Sequence, residues 1–184
     1  DWRPEATRRD GLVHRSRGGA APHILVIHHT VTVDPAVTFK VLKRPKLLAP
    51  SGLSTHFEIG PSGWLLQYVP ISRRALHAGP WNKASVGIDV TGPWKYDSRL
   101  FADVQADALV ALIRRLAGLL DIPLTAESVR LWKFDKTLDP ARFVGVVCHA
   151  TVKATKIDPC QIPIGERHDN GRWWDAVLRP AILA

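Results

Sequence analysis

Two apolar runs in this chain finish on histidine. The first is "ILVIHHT", residues 24–30, and the second is "VGVVCH", residues 144–149. Seven and nine residues after His149 come Lys156 and Asp158, in "ATVKATKIDPC". A loop of that length can fold back beside the histidine that begins it. Two neutral imidazoles and one carboxylate make three ligands, and a fourth position stays open for water. That is the arrangement of a catalytic zinc site rather than a structural one. Zinc lowers the pKa of a water it holds to about 7 and so supplies a nucleophile at neutral pH. A lysine beside it would stabilise the oxyanion formed when a carbonyl is attacked. Successive side chains of a strand point to opposite faces, so His28 and His29 cannot both face one ion. Both faces of the run are apolar, and the pattern alone does not choose between them. The same alternation turns Cys148 away from His149.

These histidines need a scaffold with strand ends gathered at one edge, where ligands commonly bind in open α/β sheets. Residues 23–28 and 144–149 read as inner strands of a covered sheet, apolar on both faces. "THFEI" (55–59) and "WLLQYV" (64–69) flank "GPSG" and read as a hairpin. "SVGIDV" (85–90) is a further strand. Leu109, Leu112, Ile113, Leu116, Leu119 and Leu120 recur at helical spacing, so a helix is predicted over about 103–120, closed by Pro123. A final helix is expected over 173–183, with Pro180 placing its end in question. Residues 34–54 read as irregular, and 124–143 as a mixed insertion. Strands and helices interleave, which predicts an α/β fold with a central mixed β-sheet flanked by helices. Residues 1–21 are polar and basic and read as an extended or poorly ordered arm, leaving 22–184 as a single domain.

The 184 residues suffice for one domain with a substantial core. No apolar run approaches the ~20 residues needed to cross a bilayer. The net charge of +8 and pI near 9.9 leave nucleic acid, anionic lipid and anionic wall polymer as partners. The basic residues are dispersed, without the clustered stripe of a nucleic-acid binder, so no nucleic-acid partner is expected. A chain that starts at Asp1 and holds no methionine reads as a processed or trimmed product. Two cysteines, Cys148 and Cys160, fit either one disulfide in an oxidising compartment or two thiols.

"VIHHT", "STHFEIGPSGWLLQYVP", "RRALHAG", "SVGIDV" and "CHATVKATKIDP" follow one another in this order. Together with the helix "ADVQADALVALIRRLAGLLDIP" they resemble the motif blocks of the type 2 N-acetylmuramoyl-L-alanine amidases. These are the zinc amidases related to peptidoglycan recognition proteins and phage lysozyme-type amidases, and the resemblance spans about residues 23–160. It implies an amidase-like fold of the peptidoglycan-recognition-protein type. It also implies Zn2+-dependent cleavage between N-acetylmuramic acid and L-alanine, in peptidoglycan or muropeptides, by a monomeric periplasmic or secreted enzyme. It further implies His28, His149 and Asp158 as metal ligands, Lys156 at the scissile carbonyl, and Asp89 as general base or holder of the attacking water. His77, Trp81 and Asn82 fall where the family lines its substrate groove, with a hydrogen-bonding or packing role as the alternative for each.

The chain departs from the family pattern at three points. Asp89 stands where relatives with an acid usually carry Glu, which shortens its reach by one methylene. "DPC" replaces the usual "DPG", so Cys160 rivals Asp158 as third ligand. Thr55 stands where the phage relatives carry a tyrosine. The alternative function is a non-catalytic recognition module of the same fold; such relatives typically lose the third ligand.

Overall fold

The computed structural model describes residues 6–30, 32, 34–45, 50–92, 103–131, 134–155 and 178–184. Nine strands are described: β1 (Thr7–Arg8), β2 (Arg15–Ser16), β3 (Ile24–Thr30), β4 (Phe57–Ile59), β5 (Leu65–Gln67), β6 (Arg73–Arg74), β7 (Ser85–Thr91), β8 (Val129–Arg130) and β9 (Gly145–Cys148). Four α-helices are described with them: α1 (Pro35–Lys43), α2 (Asp103–Leu119), α3 (His149–Val152) and α4 (Arg179–Leu183). A 3-10 turn spans Gly79–Lys83.

Seven strands form one mixed sheet in the order β1-β5-β4-β7-β3-β9-β8, and β2 pairs with β6 in a separate ribbon. Among the described residues, only the β4–β5 hairpin is antiparallel in the main sheet. Gly63, at φ 80°, supplies the left-handed residue of the turn between them. The strands β4, β7, β3, β9 and β8 are mutually parallel, so their C-terminal ends share one edge.

One face of the sheet carries the main core. Leu25, Ile27, Ile88, Val146 and Cys148 pack there against Leu109, Leu112, Ile113 and Leu116 of α2. These four helix residues belong to the apolar stripe legible in the sequence, which is corrected at its end, where Leu119 is half exposed and Leu120 only partly buried. At roughly 1.5–3 kcal/mol per buried aliphatic side chain the stripe is a large part of the fold's driving force. Gln105, in the first turn of α2, donates to Ile59 O (3.1 Å) and Thr91 O (2.7 Å), fastening the helix to the strand ends. Asp121, at φ 53°, turns the chain out of the helix so that Ile122 N–H bonds Ala117 O. The opposite face carries a smaller cluster of Ile24, Val26, Val147, Ala78 and Trp81.

Several expectations are corrected. The strand holding the paired histidines runs on through Thr30 instead of ending at them, because β7 continues to pair with it up to Thr91. β9 stops at Cys148, and His149 opens the short helix α3. Residues 34–54 are not wholly irregular. Asp34 accepts from Ala36 N–H at 2.7 Å as an N-cap, Pro35 occupies the first turn, and α1 follows. From residue 6 onward the N-terminal segment is extended but held: β1 joins the main sheet, β2 joins the ribbon, and Leu12 is buried. Pro180 lies in the first turn of α4, where a proline is tolerated. The expected residues 173–177 of that helix, with Trp173 and Trp174, lie outside the described residues.

Candidate active site

The register of the parallel strands lines up a row of polar residues near the shared edge. Glu58 on β4 stands opposite Asp89 on β7, and Asp89 stands opposite His28 on β3. Ile27 pairs with Cys148, which places His149 next in the same row. Residues two apart share a face, so His28 projects on the side of Ile24 and Val26, and His29 on the side of Ile27. Only His28 therefore meets His149: the two Nδ1 atoms lie 3.0 Å apart, with ring centroids at 4.5 Å. Both rings are buried, as are Asp89 and Glu58.

A third imidazole joins them. His28 Nε2 lies 2.8 Å from His77 Nδ1, and His77 Nε2 lies 3.2 Å from Ser85 Oγ. Gly87 makes room for this ring, since a Cβ there would fall 2.8 Å from His77 Cγ and Nδ1. The side chain of Asn82 accepts from the backbone N–H of His77 (3.0 Å) and Ala78 (2.6 Å). Trp81 is buried in the smaller cluster and its carbonyl accepts from Ser85 Oγ at 2.7 Å. The described contacts of His77, Trp81 and Asn82 are the hydrogen-bonding and packing contacts that stand beside a groove role in the sequence reading. Burial first, then the neighbouring imidazoles, pushes the His77 pKa well down, so its ring is neutral.

His56 is structural. Its Nδ1 accepts from Gly87 N–H (2.9 Å), and its Nε2 lies 3.0 Å from Arg73 O and 2.9 Å from the Arg17 guanidinium. Burial, then the adjacent Arg17 cation, lowers its pKa to about 3. Arg17 was not foreseen. Its guanidinium is buried and donates to the carbonyls of Ile71 (2.8 Å), Asn82 (3.3 Å), Lys83 (2.7 Å) and Ser85 (2.7 Å). Burial and then Arg74 lower its pKa to about 10, which leaves it charged at neutral pH. Nothing local in "HRSRGG" marks Arg17 apart from its neighbours.

Glu58 was also missed. It accepts from the hydroxyls of Tyr68 and of Thr91, the latter at 2.6 Å. Burial, Glu58 and Asp89 together raise the Tyr68 pKa, which keeps the phenol protonated and donating. A carboxylate inside "HFEI" was a visible signal, but its alignment with Asp89 depends on strand register.

Lys156, Asp158 and the rival ligand Cys160 lie outside the described residues, and with Cys160 the choice between a Cys148–Cys160 disulfide and two thiols. Among the described residues no group of three or more His, Cys, Asp or Glu side chains is disposed to hold a metal ion. Cys148 is buried on the core face, with Sγ 3.1 Å from Thr151 Oγ1.

The model of the N-acetylmuramoyl-L-alanine amidase family matches residues 18–161. The chain belongs to that family. Among solved structures, an AmpD crystal structure is similar with a TM-score of 0.69 and 21% identity, covering 98% of this chain and 96% of that one. The endolysin amidase LysCS from Clostridium intestinale gives 0.59 and 18%, covering 85% and 87%. AmpDh3 from Pseudomonas aeruginosa, solved in complex with an anhydromuramic pentapeptide, gives 0.55 and 20%, covering 79% and 58%. These likenesses confirm the mixed-sheet amidase fold. No curated protein sequence matches the chain. Membership of the amidase family supports peptidoglycan amidase activity. Among the described residues, no helix is long and apolar enough to cross a membrane.

Proposed function

We propose that this chain is a zinc-dependent hydrolase that cuts the amide between N-acetylmuramic acid and L-alanine in peptidoglycan or muropeptides, acting in the periplasm or outside the cell. The observation that carries the proposal is the 3.0 Å approach of two buried imidazole Nδ1 atoms. Two ligands of one tetrahedral zinc with 2.0–2.1 Å bonds would be roughly 3.3 Å apart, so this pair fits such an ion. Imidazole and carboxylate donors also suit the metal's chemistry.

His28 and His149 would hold the ion together with Asp158, in preference to Cys160. When bound, zinc supplies Lewis acidity that polarises a carbonyl and makes water nucleophilic at neutral pH. Asp89, beside His28 on the neighbouring strand, takes a proton from the attacking water. The water oxygen bonds to the lactyl carbonyl carbon. Lys156 donates hydrogen bonds to the carbonyl oxygen as it gains charge. When the C–N bond breaks, the proton passes from Asp89 to the departing nitrogen. The products are the muramyl carboxylate and a peptide with a free L-alanine amino terminus.

The net charge of +8 favours approach to an anionic wall. The test is mass spectrometry of products from intact sacculi and from soluble anhydro-muropeptides, each with and without chelator. Peptides beginning with free L-alanine, lost on chelation, are the expected result. Zinc binding without any such product would instead indicate a recognition module.

A further inference from the structure

We infer that His77 is a positioning residue that fixes the tautomer of His28, through a hydrogen-bond chain whose direction is set by the Trp81 carbonyl. The inference rests on the zinc reading for its consequence, but its geometry stands apart from any metal. Four links are arranged end to end. Trp81 O lies 2.7 Å from Ser85 Oγ, Ser85 Oγ lies 3.2 Å from His77 Nε2, and His77 Nδ1 lies 2.8 Å from His28 Nε2. His28 Nδ1 then faces His149 Nδ1 at 3.0 Å.

A carbonyl oxygen accepts and never donates, so the Ser85 hydroxyl proton points at Trp81 O. Ser85 Oγ must then receive a proton from His77, which puts the His77 hydrogen on Nε2. A neutral imidazole with its hydrogen on Nε2 has a lone pair on Nδ1. That lone pair accepts from His28 Nε2–H, and His28 is left with its lone pair on Nδ1. That lone pair lies on the side of the ring that faces His149 Nδ1 and is available there to a cation that both rings would hold. Reversing the chain would bring a Ser85 hydrogen onto His77 and abandon the Trp81 carbonyl.

The support continues outward. Gly87 gives the His77 ring its place against β7, and Asn82 holds the His77 backbone. Partners that orient a ligand histidine through its second nitrogen typically govern metal affinity 10–100-fold. An imidazole–imidazole–serine chain would do that work here.

The test uses the full chain and two readouts. The first is the tautomer of His28, from long-range 1H–15N correlations of the ring, recorded after metal removal. The wild type is expected to carry its hydrogen on Nε2, and Ser85→Ala to populate both tautomers. A His28 hydrogen on Nδ1 in the wild type overturns the inference, whatever metal the protein binds. The second is the zinc dissociation constant by chelator competition. His77→Leu is expected to weaken binding 10–100-fold. His77→Asn, whose Oδ1 replaces the acceptor at Nδ1, is expected to recover it to within about threefold of wild type. Equal weakening by both substitutions contradicts the positioning role. A wild type that binds no zinc fails the zinc reading alone, and the tautomer result still decides the chain of bonds.

Discussion

Among the individual side chains, Asp89 and His56 make the sharpest demands. Asp89 stands in register with His28 and is the described carboxylate nearest to it in the row. As general base it should contribute about 10²–10⁴-fold. Asp89→Asn is therefore expected to lower kcat by that factor while zinc content, read by elemental analysis, stays near one per chain. His56 has the opposite character, because its neutral ring is a structural part. Its native pKa of about 3 lies below the ordinary 6.5. Between those values the unfolded chain binds a proton that the native chain does not, so stability is full above about pH 6.5 and falls as pH drops toward 3. The slope is about 1.4 kcal/mol per pH unit. Urea unfolding should show this group costing about 2 kcal/mol between pH 6.5 and 5. The cost should be absent in His56→Asn, whose amide oxygen still accepts from Gly87 N–H. The paired histidines and the lysine and acid after His149 suggest metal chemistry by their types and spacing, whereas Asp89 in "GID" enters only through the resemblance. The apolar pattern did not choose between His28 and His29; the resemblance pointed to His28, and the parallel register puts His28 on the side of Val26, facing His149.

Secondary-structure elements differ in how much of them their own residues disclose. The hairpin around "GPSG" and the stripe of α2 were plain, because local turn chemistry and 3.6-residue periodicity encode both. α1 was signalled by Asp34-Pro35, a cap followed by a first-turn proline, but the downstream "KRPK" and "APSG" masked it. Removing that cap with Asp34→Ala should cost about 1 kcal/mol of stability, measured by chemical denaturation. His77, Trp81 and Asn82 read either as groove residues or as hydrogen-bonding and packing ones. The sequence of their loop gives no sign that the 3-10 turn folds these residues under the histidine row. Gly87→Ala tests that placement. The new methyl would meet the His77 ring at 2.8 Å, so zinc affinity should fall about as far as in His77→Leu, with the two effects less than additive in the double variant.

For the whole molecule, the question is what ties the N-terminal segment to the site. Residues 1–21 read as an arm because they are polar and basic, and the described part begins at residue 6. The order of that part comes from distant partners: β5 for β1, β6 for β2, and four carbonyls for Arg17. Such long-range pairings leave no local mark. Arg17→Met would leave those carbonyls without their charged donor and should destabilise the protein by at least about 3 kcal/mol. The sheet order was likewise illegible, although the mixed, helix-flanked architecture followed from the alternation of elements. The order matters chemically, because it is the adjacency of β4, β7, β3 and β9 that sets Glu58, Asp89, His28 and His149 in one line. The measurement that bears most directly on the site is product analysis from purified sacculi, with chelated, zinc-restored and His149→Ala protein compared. The expected result is peptide with a free L-alanine terminus from the zinc-restored wild type, and none from the other two. Release that persists in the chelated protein, or in His149→Ala, contradicts a metal held by these two histidines.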